Sequence, residues 1–114
     1  MNFKINGLPW KLLDLEQDDK RLIVKGDNPC FGVTCFRDLE IWMDGTQPKE
    51  LYRQTLIHEL IHAFTFSFGV HLVANEDTEE SVCDFMGAHM DEIMRLVNRT
   101  FKSRGKEGAK CHSE

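Results

Sequence analysis

The stretch Lys49-Glu50-Leu51-Tyr52-Arg53-Gln54-Thr55-Leu56-Ile57-His58-Glu59-Leu60-Ile61-His62-Ala63-Phe64-Thr65-Phe66-Ser67-Phe68 decides the fold. Leu56, Ile57, Leu60, Ile61, Phe64 and Phe68 recur at helical spacing and make one apolar stripe. Asp44-Gly45-Thr46-Gln47 is a turn that leads into it, with Thr46 or Gln47 as cap and Pro48 in the first turn. Gly69 is a natural C-terminal stop. The pattern predicts a helix from about Lys49 to Phe68. His58 and His62 lie on its other side, at the edge of the core, one turn apart on the same face. Both imidazoles can reach one metal ion. Glu59 sits about 100° further round, where it can face a water on that metal without being a ligand.

The flanking segments supply a sheet and a second helix. Phe3-Lys4-Ile5 and Leu8-Pro9-Trp10-Lys11-Leu12 flank Asn6-Gly7, a strong signal for a tight hairpin. Leu22-Ile23-Val24 reads as a further short strand. Phe31 to Met43 reads as extended structure with a kink near Arg37-Asp38; Leu39, Ile41 and Met43 alternate with Glu40 and Trp42, as in a half-buried strand. This last strand is expected at the sheet edge, where an extended peptide could add to it. Beyond a connector at 70–75, a second helix starts between Asn75 and Thr78 and runs to about Phe101, with Val82, Met86, Met90, Ile93 and Val97 on its apolar side. The expected class is α+β: a small N-terminal antiparallel sheet on the His58–His62 helix and a second long helix, one domain over 1–101, with 102–114 as a polar, flexible tail.

Composition narrows the functions. The chain has 114 residues and a net charge of −5, which argues against a general nucleic-acid binder. No apolar run approaches the ~20 residues needed to cross a bilayer, and the first residues carry no secretory pattern. The expected address is the cytoplasm. Cys30, Cys35, Cys83 and Cys111 form no C-x-x-C pair and read as free thiols; the spacing of Cys30, Cys35 and Cys111-His112 supports a second metal site poorly.

Two histidines do not complete a catalytic zinc site, which usually takes three protein ligands and leaves one position open. A third histidine in the metzincin pattern would need Gly at 65 and His at 68; Thr65 and Phe68 stand there. Glu76, Glu79 and Glu80 are the carboxylate candidates on the following segment. Glu80 has Asp84 one turn later, placed to accept the outer N–H of a ligating histidine, and Gly87 a turn beyond, which would let two helices approach closely. Glu80 also fits a capping box with Asp77, and Glu79 is its rival as ligand.

Glu80-Ser81-Val82-Cys83-Asp84-Phe85-Met86-Gly87, together with His58-Glu59-Leu60-Ile61-His62, resembles the two zinc-binding segments of thermolysin-like gluzincins. The short chain is similar to small zinc-peptidase domains of the ImmA/IrrE type found in phages and mobile elements, over roughly residues 31–97. The resemblance implies a minimal zincin-like domain with one zinc per chain held by His58, His62 and Glu80. It further implies Glu59 as general base and Asp84 behind a ligand. A protein or peptide would be the substrate, in the host cytoplasm if the protein is phage-encoded. Thermolysin-like enzymes also steady the oxyanion with a downstream His or Tyr; no residue aligns with it, and His71, His89 and Tyr52 are weak candidates. A binding module that keeps the zinc site as structure and occupies a partner without cleavage is the alternative expectation.

Overall fold

The computed structural model describes residues 1–24, 26, 28–70 and 78–112, of which 78–80, 84 and 106–112 are described by their backbone alone. The elements in chain order are β1 (Asn2–Ile5), β2 (Leu8–Leu15), a 3-10 turn at Lys20–Leu22, β3 (Gly32–Cys35), β4 (Glu40–Asp44), α1 (Lys49–Ser67) and α2 (Thr78–His112). This is a small α+β domain: a four-stranded sheet and two helices.

Asn6 and Gly7 form the expected hairpin turn, both with positive φ (50° and 80°), the requirement of a type I′ turn. The sheet is not the purely antiparallel one expected. Its order is β1-β2-β4-β3, and β2 and β4 run parallel. The chain leaves β2, passes through the 3-10 turn to the far edge as β3, then doubles back and inserts β4 between β3 and β2. The stretch from Phe31 to Met43 is therefore a hairpin rather than one kinked strand, and Leu39 (φ 56°) belongs to its turn. β4 is internal; the edge strand beside α1 is β3. Leu22-Ile23-Val24 is not a strand. Asp19 caps a single 3-10 turn, its Oδ1 accepting from the Arg21 N–H at 2.9 Å, and Leu22, fully buried, packs that turn against β3 and β4.

The strands alternate as the pleat requires. Phe3, Ile5, Trp10, Leu12, Ile41 and Met43 face one way and form a continuous core with Tyr52, Leu56, Leu60, Ala63 and Phe64 of α1 and Phe85, Ile93, Leu96 and Val97 of α2. Ile57 and Ile61 are half-buried and Phe68 is exposed, so the buried stripe of α1 is rotated from the expected one toward Tyr52 and Ala63. Pro48 is the N-cap of α1 and makes no side-chain cap bond; Gln47 instead turns back, its Nε2 donating to Phe31 O and Asp44 O. Gly69, at φ 68°, closes the far end. There Ser67 ties the helix to the first hairpin: Trp10 Nε1 donates to Ser67 Oγ at 2.9 Å and Asn6 Nδ2 to Ser67 O at 3.0 Å.

Helix α2 packs antiparallel to α1, with His89 against Phe64 and Phe68 at one end and Phe101 against Tyr52 at the other. It continues to His112, so the stretch from Lys102 expected as a tail extends the helix. Gly87 is exposed and brings no helix close, since a Cβ there would meet nothing within 4 Å. Among the described residues no helix is long and apolar enough to cross a membrane.

Candidate metal centre

The core decides which way α1 faces. With Leu56, Leu60 and Phe64 buried against the sheet, the helical period turns His58 and His62 to solvent beside the edge strand. Their Nε2 atoms are 3.2 Å apart, and the ring centroids 4.9 Å. Two nitrogens each about 2.0–2.1 Å from one tetrahedral zinc stand about 3.3 Å apart. The separation of the pair therefore matches two corners of a tetrahedral metal site. The same distance also suits an imidazole–imidazole hydrogen bond, with donor and acceptor set by the tautomers.

Glu59 lies between them in sequence but is 6% exposed. A buried carboxylate needs partners, and β3 supplies one. Thr34 Oγ1 stands 2.9 Å from Glu59 Oε2 and 3.1 Å from the Glu59 carbonyl oxygen, so the hydroxyl can donate to the carboxylate. Gly32, two residues earlier on the same face of β3, makes the close approach possible: a Cβ there would lie 3.0 Å from Glu59 Cγ and 2.7 Å from Thr55 Cγ2. A groove of about 330 Å³ opens at this point, lined by Phe31, Gly32, Leu51, Gln54, Thr55, His58 and Glu59.

The register also orients the main chain of β3. The Asp44 N–H donates to Phe31 O at 3.0 Å, so Phe31, Val33 and Cys35 are the residues that bond to β4. Gly32 and Thr34 consequently turn their N–H and C=O groups outward, along an edge that no strand covers among the described residues.

The other expected site residues are placed as follows. Tyr52 is not brought to the histidine pair. It is fully buried, two turns earlier on α1, and its hydroxyl donates to Asp14 Oδ1 at 2.6 Å. Burial first, and the Asp14 contact second, raise its pKa far above the ordinary value. Arg104 covers the Tyr52 ring, its Cζ 3.7 Å from the centroid, and pairs with Asp14 Oδ2 at 2.6 Å. His89 is half-buried among Phe64, Phe68 and Phe85, with ring centroids 4.3 Å from Phe68 and 4.6 Å from Phe85. His71 lies outside the described residues, as do the side chains of Glu80 and Asp84. Their backbone belongs to α2, and nine residues, roughly 13 Å of helix, separate Glu80 from His89 in the direction away from His62. Among the described residues no group of three His, Cys, Asp or Glu side chains converges.

Sequence reasoning missed Thr34 and Gly32. Neither belongs to a motif, and only the packing of β3 on α1 reveals them; the one available hint was a glycine opening a short β-branched run. Comparison with protein-family models, curated proteins and solved structures finds no match.

Proposed function

We propose that this protein is a zinc-dependent hydrolase of peptide bonds, with His58 and His62 as metal ligands and Glu59 as general base. The observation that carries this reading is the 3.2 Å separation of the two Nε2 atoms on the solvent face of α1, next to a buried, hydrogen-bonded carboxylate. A bound zinc would lower the pKa of a water to roughly 7 and polarise a substrate carbonyl. Glu59 would accept the proton released as water attacks the peptide carbonyl and return it to the leaving amine nitrogen. Its Oε2 accepts from Thr34, which holds the carboxylate at one oxygen. An extended peptide would add to β3 as a further strand, through the outward main-chain groups of Gly32 and Thr34.

The third ligand rests on the resemblance to gluzincins, which gives the role to Glu80, with Asp84 accepting from the outer N–H of a ligating histidine. In the register described, that role requires the first turns of α2 to stand closer to His62. The substrate would be a protein or peptide rather than nucleic acid, consistent with the net charge of −5.

The deciding experiment uses Glu59→Gln, which keeps the shape and removes the basic oxygen. Zinc content should persist while cleavage falls by about 10²–10⁴-fold, the usual contribution of a general base. If the variant keeps its metal and its full biological effect, cleavage is not the function, and the protein acts by occupying a partner.

A further inference from the structure

We propose that Thr34 is a positioning residue that couples the docking of a substrate strand to the aim of Glu59. The inference rests on the hydrolase reading and adds to it a residue outside the metal motif.

Thr34 is the one residue on β3 that meets both parts of the site. Its side chain faces α1, with Oγ1 2.9 Å from Glu59 Oε2. Its main-chain N–H and C=O face the open edge, because Phe31, Val33 and Cys35 take the bonds to β4. Gly32 has the same outward main chain but no side chain, and the space its Cβ would need is filled by Thr55 and Glu59. A strand that adds to this edge must therefore pair with the residue that holds the carboxylate. The bond to Oε2 also selects a rotamer. Glu59 is a long side chain with three rotatable bonds, and without a fixed oxygen it samples other orientations in the groove it shares with His58. Threonine suits both tasks: its branched Cβ fits the pleat, and its hydroxyl supplies the donor.

Replacement by Val keeps shape and strand preference and removes the donor. Replacement by Ser keeps the donor. A tryptic digest of a cell lysate serves as probe, with new peptide termini scored by mass spectrometry in the presence of zinc; the best-cleaved peptide is then used for kinetics. Thr34→Val should lower kcat by about 10- to 100-fold, the effect of losing one hydrogen bond to a charged group, with KM and zinc content unchanged. Thr34→Ser should stay within about threefold of wild type. A second readout needs no activity: the urea midpoint of metal-free Thr34→Val should fall, and the shift should shrink in a Glu59→Ala background, where only the residue 59 carbonyl oxygen, 3.1 Å from Oγ1, is left to accept. If Thr34→Val fails to fold, Thr34→Ala carries the same comparisons.

Wild-type cleavage with unchanged kcat in the donor-less variant overturns this inference and leaves the hydrolase reading standing. A loss shared equally by Thr34→Ser overturns it too, since a merely structural role would not be rescued by the hydroxyl. Absence of any wild-type cleavage that Glu59→Gln removes overturns the hydrolase reading, and this inference with it.

Discussion

Gly32 and Glu59 stand so close that a single methyl group on the glycine would disturb the carboxylate: its carbon would lie 3.0 Å from Glu59 Cγ and 3.2 Å from Met43 Sδ. It would also press on Thr55 Cγ2 at 2.7 Å, and Thr55 is β-branched and cannot turn aside freely. Gly32→Ala should therefore force β3 away from α1. Stability should drop by about 1–3 kcal/mol, the range for overpacking. Urea unfolding measures this, and a midpoint equal to wild type would show that the strand and helix are less tightly apposed than described.

The histidine pair predicts a metal stoichiometry. Protein purified and dialysed with zinc should hold about one zinc per chain by elemental analysis, since one tetrahedral site is all the facing imidazoles can anchor. His62→Ala should lose most of it while retaining the fold, because His62 is exposed and contributes little to the core. Unchanged zinc affinity in that variant would remove His62 from the ligand set.

Glu80 and Glu79 are neighbours in α2, and substitution separates their roles. If Glu80 is the third ligand, Glu80→Gln should weaken zinc binding far more than Glu79→Gln, and Asp84→Ala should cost about 10- to 100-fold in affinity. Titration of the three variants with a chromophoric chelator measures this. Equal binding in Glu80→Gln and wild type would show that the carboxylate is not a ligand, as the register of α2 on α1 would have it.

The Asp14–Tyr52–Arg104 cluster predicts an alkaline weakness. Tyr52 is the only tyrosine, and burial followed by the Asp14 contact raises its pKa in the fold above the unfolded value near 10. Below about pH 10 both states keep the proton and the stabilisation is complete. As pH rises further, the unfolded chain releases a proton that the folded chain retains, so stability should decline through the alkaline range. Tyr52→Phe should lose about 1–2 kcal/mol at neutral pH, from the broken hydrogen bond, and show a shallower alkaline decline. Parallel slopes in the two proteins, measured by urea unfolding from pH 8 to 11, would refute the assignment.

Local signals in the sequence marked the elements that depend on neighbours in the chain. Asn6-Gly7 forms its turn because both residues tolerate positive φ, and Gly69 turns the chain away just past α1 for the same reason. His58 and His62 face one way because the helical period allows nothing else once the stripe from Leu56 to Phe64 is buried. The order of strands was not legible. A parallel β2–β4 pair depends on where the chain from Leu15 to Gly32 carries β3, and that segment has no periodic pattern. Tyr52 gave no sign of being a core residue bound to Asp14, thirty-eight positions away. Nor did Arg104, in a stretch that reads as a polar tail, announce that it would cover the Tyr52 ring.

The α+β class, the hairpin, the helix that carries the two histidines and the facing of their rings could be read along the chain, because each follows from contacts no more than a turn or a hairpin apart. The company of Glu59 came from packing instead: an edge strand that ends its pairing on one side, a glycine that lets it approach, and a threonine that reaches the carboxylate across 25 positions of chain. A hydrogen bond between residues so far apart in sequence exists only because burying the apolar faces of β4 and α1 brings β3 against the helix, and no local pattern encodes that distance.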